Sequence, residues 1–514
     1  MRGMLLDRRA LVGASIGLLG ACSTLSGRAG AMRRDPFTLG VASGDPAPDG
    51  FVIWTRLAPD PLAPAGGMAP APAAGAGGGA ADPAFRRIVQ SGEALAMPQE
   101  AHSLHVELAG LSPQRPYWYR FQAGGSVSDV GCARTLPAPG ALVDRLHIAS
   151  VGCHDYESGF FTAFGHLARE PLLDAVFHYG DYIYEFGRRA RNPLRIHAGD
   201  ETVTLEDYRR RYAQYKADPD LRAAHARAAF ICSFDDHEVD DNWAAEWGKD
   251  GGATAAFAAR KAAALQAWYE HMPVRRALRP GSGTRYFRRF DFGALMRMHV
   301  LDTRSCRSNQ LCEARGDDLV CEERDDPART MLGAPQEAWL AEGMDREPGW
   351  HFIAQQVLML PFDVRADGAD AAVRSTDNWN GYPAARRRMA ALIADRQLTN
   401  VVIGSGDMHQ HLAGYLPTDL DDPLSPPLAS EFLATSITSG GTGSPRQPHQ
   451  LHTLDHNPHV KLLNNQRGYQ LYRVDARHWW ADMKVLDQVD RPRGRLANLA
   501  TYVVEQGRPG PILS

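Results

Sequence analysis

The sequence predicts a small all-β domain of the fibronectin-III or immunoglobulin-like sandwich type, followed by a layered α/β domain. Three observations carry that expectation. A chain of 514 residues exceeds the roughly 250–300 residues at which a single hydrophobic core stops growing. Residues 37–57 and 102–123 alternate apolar and polar side chains, as half-buried strands do. From about residue 142 the texture changes to short apolar runs separated by helical stretches, the pattern of an α/β fold.

The first 22 residues read as an export signal. Asp7-Arg8-Arg9 gives a twin-arginine start, and the apolar run from Ala10 to Gly20 is too short to span a bilayer. Leu19-Gly20-Ala21-Cys22 resembles a bacterial lipoprotein cleavage site, at which Cys22 becomes acylated; ordinary cleavage near Ala29 or Ala31 is the alternative. The expected location is therefore outside the cytoplasm, periplasmic or at the cell surface, with the twin-arginine export machinery as a partner and a lipid anchor to the membrane. Hydrophobic residues at 44% and charged residues at 23% are ordinary globular usage and exclude a disordered or polytopic membrane chain. The formal net charge of −4 carries no signature of nucleic-acid binding.

The sandwich is expected over 36–138. Phe51-Val52-Ile53-Trp54-Thr55-Arg56-Leu57, Leu104–Leu108 and Tyr117–Phe121 are its strands, and Leu111-Ser112-Pro113 before Tyr117 and Tyr119 matches the turn-and-tyrosine pattern of such sandwiches. Residues 58–84, rich in Ala, Gly and Pro, read as a flexible loop without core-forming capacity.

The α/β domain is expected over 142–514, with helices at 205–229, 252–270 and 383–396; Leu205, Tyr208, Tyr212 and Tyr215 share one helix face. Five apolar runs end in ligand-type residues: Leu146–Val151 at Cys153, Ala175–Tyr179 at Asp181, Phe230–Phe234 at Asp235 and Asp236, Met298–Leu301 at Asp302 and Arg304, and Val401–Ile403 at Asp407 and His409. Open sheets gather their sites at the carboxyl ends of strands, so the coincidence points to one centre.

Gly180-Asp181-Tyr182-Ile183-Tyr184-Glu185 offers a carboxylate and a phenol, hard donors that suit Fe(III). Asp235-Asp236-His237-Glu238-Val239-Asp240-Asp241-Asn242-Trp243 crowds carboxylates that repel one another unless a cation neutralises them. His237-Glu238 is not a zinc-protease motif, because Asp241 stands where the second His is needed. Gly406-Asp407-Met408-His409 adds a carboxylate and an imidazole on a glycine turn. Among the cysteines, Cys312 and Cys321 enclose a polar loop and are the expected disulfide. Tyr156, Tyr182, Trp243 and Trp379 either line a substrate cleft or pack in the core.

These motifs carry a family resemblance. Gly152-Cys153, Gly180–Glu185, Asp235–Trp243, Gly406–His409, Leu301–Arg307, Asp377–Pro383 and the opening Phe37–Pro46 together resemble the PhoD-type alkaline phosphatases, from about residue 36 to the C-terminus. The resemblance implies a four-layer αββα metallophosphoesterase domain behind the sandwich, and a centre holding Fe(III) and Ca(II). It implies that Cys153 and Tyr184 bind iron, that Asp181 bridges, that Asp236 and Asn242 lie on the calcium side, and that Asp407 and His409 complete the two shells. His237 resembles the group that binds phosphate or protonates the leaving oxygen, and Arg304 a phosphate clamp with Arg307 behind it. Asp241 stands where relatives carry Asn, which leaves the choice among Asp236, Asp241 and Asn242 open, and His154 stands where they carry Gln. The implied activity is hydrolysis of phosphate esters by a metal-activated hydroxide. A phosphodiesterase acting on phospholipid or polymer with the same site is the alternative, and a non-catalytic surface-binding lipoprotein is a third reading.

Overall fold

The computed structural model describes residues 32, 34–189, 193–281, 283–310, 322–347, 349–365, 368–369, 372–447 and 451–514. The export signal, Cys22 and the expected Cys312–Cys321 pairing lie outside the described residues.

The N-terminal strands are β1 (Val41–Ala47), β2 (Gly50–Arg56), β3 (Ala73–Ala80), β4 (Ile88–Ala96), β5 (Ser103–Leu108), β6 (Pro116–Ala123), β7 (Ser126–Val127) and β8 (Gly131–Arg134). They form a sandwich: β1, β2 and β5 face a second sheet of β4-β3-β6-β7, with β8 paired to β6. Phe51, Ile53, Leu104, Leu108, Tyr119 and Phe121 fill the space between them. Tyr117 accepts a hydrogen bond at its hydroxyl from the Ser112 backbone amide at 3.0 Å, closing the expected turn.

Residues 73–80 correct the loop expectation. Ala73–Ala80 is a central strand, paired with β4 on one side and β6 on the other. Its glycines are the reason: a Cβ at Gly75 would lie 2.7 Å from Leu104, one at Gly77 2.9 Å from Phe121, and one at Gly79 3.0 Å from Leu108. The strand has almost no side chains because its neighbours pack on its bare backbone.

The α/β part begins with β9 (Leu146–Val151), α1 (Thr162–Leu167), β10 (Ala175–His178), α2 (Leu205–Lys216), α3 (Pro219–Arg227), β11 (Ala229–Cys232) and α4 (Ala255–His271). It continues with β12 (Arg288–Phe292), β13 (Met296–Val300), α5 (Gly333–Gly343), β14 (Trp350–Ala354), α6 (Pro383–Asp395), β15 (Val401–Ser405), β16 (His411–Pro417) and β17 (Pro427–Leu433). The last strands are β18 (Val460–Asn464), β19 (Gly468–Val474), β20 (His478–Leu486), β21 (Leu496–Glu505) and β22 (Arg508–Leu513).

The expected helix over 205–229 is two helices. Pro219 cannot continue α2, and Asp218 caps α3 by accepting from the amides of Asp220 and Leu221 at 3.0 and 3.2 Å. Tyr208, Tyr212 and Tyr215 are all fully buried on the shared face.

Two large sheets stack. One runs β22-β21-β20-β19-β9-β10-β11-β1-β2-β5 and the other β12-β13-β14-β15-β17-β16-β18. Ile148, Phe177, Met298, Phe352, Phe432, Tyr472 and Trp479 interdigitate between them. Helices α1 to α4 cover the outer face of the first sheet through Phe164, Tyr212, Leu221 and Trp268, and α5 and α6 cover the second through Leu340, Met389 and Ile393. The result is the four-layer αββα stack. The sandwich is not a separate bead: β1 pairs in parallel with β11, so the first large sheet continues into it. Among the described residues no helix is long and apolar enough to cross a membrane.

Candidate metal centre

Within the first sheet, β9, β10 and β11 run parallel, as do β14 and β15 in the second. Their carboxyl ends therefore release four turns to one edge of the stack, carrying Cys153, Asp181, Asp235-Asp236 and Asp407-His409. Five of the expected ligands sit in left-handed backbone, with φ of 52° at Cys153, 52° at Asp181, 53° at Asn242, 70° at Asp407 and 58° at His409. Non-glycine residues adopt that region at a cost, and they concentrate at functional sites.

The side chains converge in overlapping groups whose ligand atoms lie within 4.8 Å of one another: Cys153 with Asp181 and His409; Asp181 with Asp236 and His237; Asp235 with Asp236 and Asp407. Asp181 Oδ2 is 3.3 Å from Cys153 Sγ and accepts from the Tyr184 hydroxyl at 3.0 Å. The Tyr184 oxygen is also 3.2 Å from His409 Nε2. Asp181 thus joins the thiol, phenol and imidazole to Asp236 and His237, and Asp236 in turn belongs to an all-carboxylate group with Asp235 and Asp407.

Asp181 Oδ1, Asp235 Oδ2 and Asp236 Oδ1 are buried without a hydrogen-bond partner, an arrangement that costs several kcal/mol unless something else satisfies them. Burial pushes Asp181 well above the usual carboxylate range; His237 opposes, and Asp236, Asp235 and Glu238 add repulsion. Burial and the charges of Asp235, Asp377 and Asp236 do the same to Asp407. Burial, then Asp181, Asp407 and Asp235, hold the Cys153 thiol up, and burial, Asp181 and Cys153 hold the Tyr184 phenol up. Groups that resist ionisation together become ligands together once cation charge is present. The donor set fits two cations.

Around these atoms stands a frame of which Glu238 alone falls within a sequence motif. The Glu238 carboxylate accepts from the amides of Asp181, Tyr182 and Asp235 at 3.0, 2.6 and 2.8 Å, fixing two ligand turns at once. Ser439 Oγ lies 2.6 Å from the Tyr184 oxygen and 2.8 Å from the Cys153 carbonyl. Arg467 donates to the His409 carbonyl and, at 3.0 Å, to Ser436 Oγ. Ser439 and Arg467 lie far from every motif in sequence, and no spacing pointed to them.

His237 is the catalytic candidate with an open side, its side chain 12% exposed. Its Nδ1 is 2.8 Å from Glu185 Oε2. Because the carboxylate only accepts, Nδ1 carries the proton, and Nε2 stands 3.8 Å from Asp236. Burial works against protonating the ring, but Asp236, Glu185 and Asp181 outweigh it and raise its pKa well above the ordinary value.

Arg304, the expected phosphate clamp, lies among Asp235, Asp236 and Asp377. It is fully buried, with Nε on Asp235 at 2.5 Å and a two-pronged contact to Asp377 at 2.8 and 2.9 Å. Arg307, also buried, donates to Asp377 and to the Trp243 carbonyl. Both guanidinium groups are committed to holding carboxylates and loops. Asn242 has its backbone amide on Asp236 Oδ2 at 2.9 Å, and its side-chain amide faces both Asp377 oxygens at 3.1 Å. Asp241 receives no such contact from the cluster; its amide is held by Glu185 at 3.0 Å. His154 is boxed by Phe161, Phe164 and Tyr182 beneath the site. Tyr182, Trp243 and Trp379 are core residues, and Tyr156 alone of the four aromatic candidates is partly exposed.

A four-layer αββα stack that delivers carboxylate, imidazole and thiol ligands to the ends of its parallel strands defines a metallophosphoesterase. The fold is shared with the purple acid phosphatase PPD1 from yellow lupin (Lupinus luteus) seeds, with a TM-score of 0.55, 11% identity and coverage of 90% of this chain and 74% of that one. The chain belongs to the PhoD-like phosphatase family. The family's model matches residues 148–483, and the model of its N-terminal domain matches residues 23–137. Alkaline phosphatase D of Bacillus subtilis (strain 168) is 41% identical over 481 residues, which is 92% of this chain and 82% of that protein. A solved structure of PhoD superposes with a TM-score of 0.90 at 40% identity, covering 94% of this chain and 92% of that one. The chain is accordingly a phosphoric ester hydrolase whose site binds metal.

Proposed function

We propose that this protein hydrolyses phosphate esters outside the cytoplasm at a centre of Fe(III) and Ca(II). The observation that carries the reading is the position of Asp181, whose carboxylate belongs both to a group with Cys153 and His409, beside the Tyr184 phenol, and to a group with Asp236 and His237. Cys153, Tyr184 and His409 offer the donors that suit a ferric ion. Asp236 and Asp407, with Asn242 beside them, offer the oxygens that suit calcium. Cations held there supply Lewis-acid charge that lowers the pKa of water and neutralises phosphoryl oxygens. The chain's own residues do the rest. His237, oriented by Glu185 and open to solvent, holds a proton at Nε2 for the departing oxygen. Arg304 balances Asp235, Asp236 and Asp377, so that the carboxylates keep their places before any ligand arrives.

The test is elemental analysis of the purified protein together with hydrolysis of a panel of phosphate monoesters and diesters, before and after chelation. Iron and calcium in near-equal amounts, with activity lost on chelation and restored by both ions, are expected. Full activity in a protein containing neither metal overturns the assignment. The panel also separates a monoesterase from the diesterase alternative.

Export rests on Arg8-Arg9, the short apolar run and Cys22, and both domain matches lie beyond residue 22. Mass spectrometry of the mature N-terminus is expected to find an acylated Cys22 in the membrane fraction. A free amine on Ala29 or Ala31 in a soluble protein removes the lipid anchor and leaves export standing.

A further inference from the structure

On the outer, helical side of the seven-stranded sheet, none of the metal-centre residues lines a cavity of about 120 Å³ that opens beside the start of α6. Arg324, Arg374, Arg386 and Arg387 line it, and among the described residues Asp421 is the one carboxylate in its wall. Such crowding of like charge opposes folding unless it is answered.

Among the described residues the guanidinium groups are poorly answered. Arg386 is 6% exposed; its Nη1 donates to Asn380 Oδ1 at 2.7 Å, while its buried Nε has no partner. Among the described residues the buried Nε of Arg324 also has none, and its Nη2 stands 3.8 Å from Asp325. Arg387 reaches that same carboxylate only at 3.6 Å. Burial, and then Arg374, Arg324 and Arg387, lower Arg386 to about 9. Burial also lowers Arg374, with Asp363 pulling the other way and Arg324 and Arg365 adding repulsion. Pro383 opens the 13-residue helix α6 at the wall of the cavity, so the positive end of the helix adds to the same field. His459 contributes no charge: its Nε2 donates to the Pro361 carbonyl at 2.6 Å, and burial holds its pKa down to about 4.

We propose that this pocket is a second anion site, separate from the catalytic centre, that binds a small tetrahedral oxyanion of the phosphate class. Guanidinium forks match the oxygens of such an ion two at a time, and Arg324, Arg374, Arg386 and Arg387 bring four of them to one cavity. A cavity of this volume suits one phosphate group. Either free phosphate or the phosphate group of a larger molecule projecting outward satisfies that chemistry.

Equilibrium dialysis of the metal-loaded enzyme against radiolabelled inorganic phosphate tests this. About two equivalents per chain are expected for the natural protein and about one for the Arg374→Gln/Arg387→Gln double variant, with kcat/KM unchanged. Arg387 is half exposed, with 52% of its side chain in solvent, so Arg387→Glu alone leaves the fold intact and weakens the second equivalent about tenfold. Displacement of the second equivalent by sulfate but not by an alkyl phosphonate identifies free oxyanion as the ligand, and displacement by both identifies a phosphate group on a larger molecule. One equivalent in the natural protein, or the same number in natural and variant proteins, overturns the proposal.

Discussion

At the scale of single residues, the centre is held by strain that its surroundings over-determine. Each left-handed ligand costs on the order of 1–3 kcal/mol, and Glu238 repays part of this by taking three backbone amides from two ligand turns. Glu238→Gln replaces one acceptor oxygen by a donor aimed at an amide. Metal affinity is expected to fall by roughly 10–100-fold, measured by competition with a chromophoric chelator, and unchanged affinity rejects the framing role. The donors themselves give a sharper test. Thiolate and phenolate bound to Fe(III) absorb in the visible, whereas zinc or magnesium centres are colourless. The purified protein is expected to be coloured. Cys153→Ser and Tyr184→Phe should each shift or bleach the band and lower activity with it. Cys132→Ser, at a thiol in the sandwich, should leave the spectrum alone. A colourless, fully active enzyme containing zinc removes the iron assignment.

At the scale of elements, two ligand turns grip one ring. A Cβ placed at Gly152 or at Gly406 would lie 2.2 Å from Tyr179 Cε2, so the turns that carry Cys153 and Asp407 both press on the Tyr179 side chain. The ring is fixed in turn by its hydroxyl, which donates to the Thr435 carbonyl at 2.9 Å. Gly406→Ala must move the ring or the turn and is expected to cost about 1–3 kcal/mol. Thermal unfolding and metal content should fall together in that variant; a stability loss with full metal occupancy separates the packing from the site. This clamp also explains what the sequence could and could not reveal. Apolar runs ending in Cys153, Asp181, Asp236 and Asp407 were legible because a strand and the residue just past it are local features. The partners that lock them were not legible, because Ser439 meets Tyr184 across 255 positions and Arg304 meets Asp235 across 69. A strand-end arginine in a ligand cluster has the chemistry of a phosphate ligand, whereas the contacts of Arg304 with Asp235, Asp236 and Asp377 come from distant segments and leave no local signal. The strand at 73–80 was missed for a different reason. Glycine carries no strand signal of its own, and its fitness there lies in Leu104, Phe121 and Leu108 approaching from other strands.

At the scale of the whole molecule, the sandwich and the catalytic stack share one sheet. β1 pairs with β11 at Ser43–Ala229 and Gly44–Phe230. The contacts continue outward from the sheet: Trp54 donates to the Glu270 carbonyl at 2.9 Å, Arg56 meets His271 Nε2 at 2.9 Å, and His105 Nε2 meets the Met272 carbonyl at 2.9 Å. Asp45 accepts from the Arg275 amide at 3.0 Å and pairs with Arg288 at 3.0 Å, which ties the sandwich to the strand that opens the second large sheet. Removing residues 36–138 would leave the β11 edge unpaired and bare the buried faces of α4 around Trp268 and His271, an exposed edge of the kind that drives aggregation. Units that share a continuous sheet and buried polar contacts open together rather than in turn. Calorimetry of the intact, metal-loaded protein is therefore expected to show one cooperative transition, and a chain lacking the sandwich is expected to be recovered only in aggregated form. Two well-separated transitions, or a soluble and folded truncated chain, would show instead that the β1–β11 seam is an ordinary domain contact and that the catalytic stack closes without it.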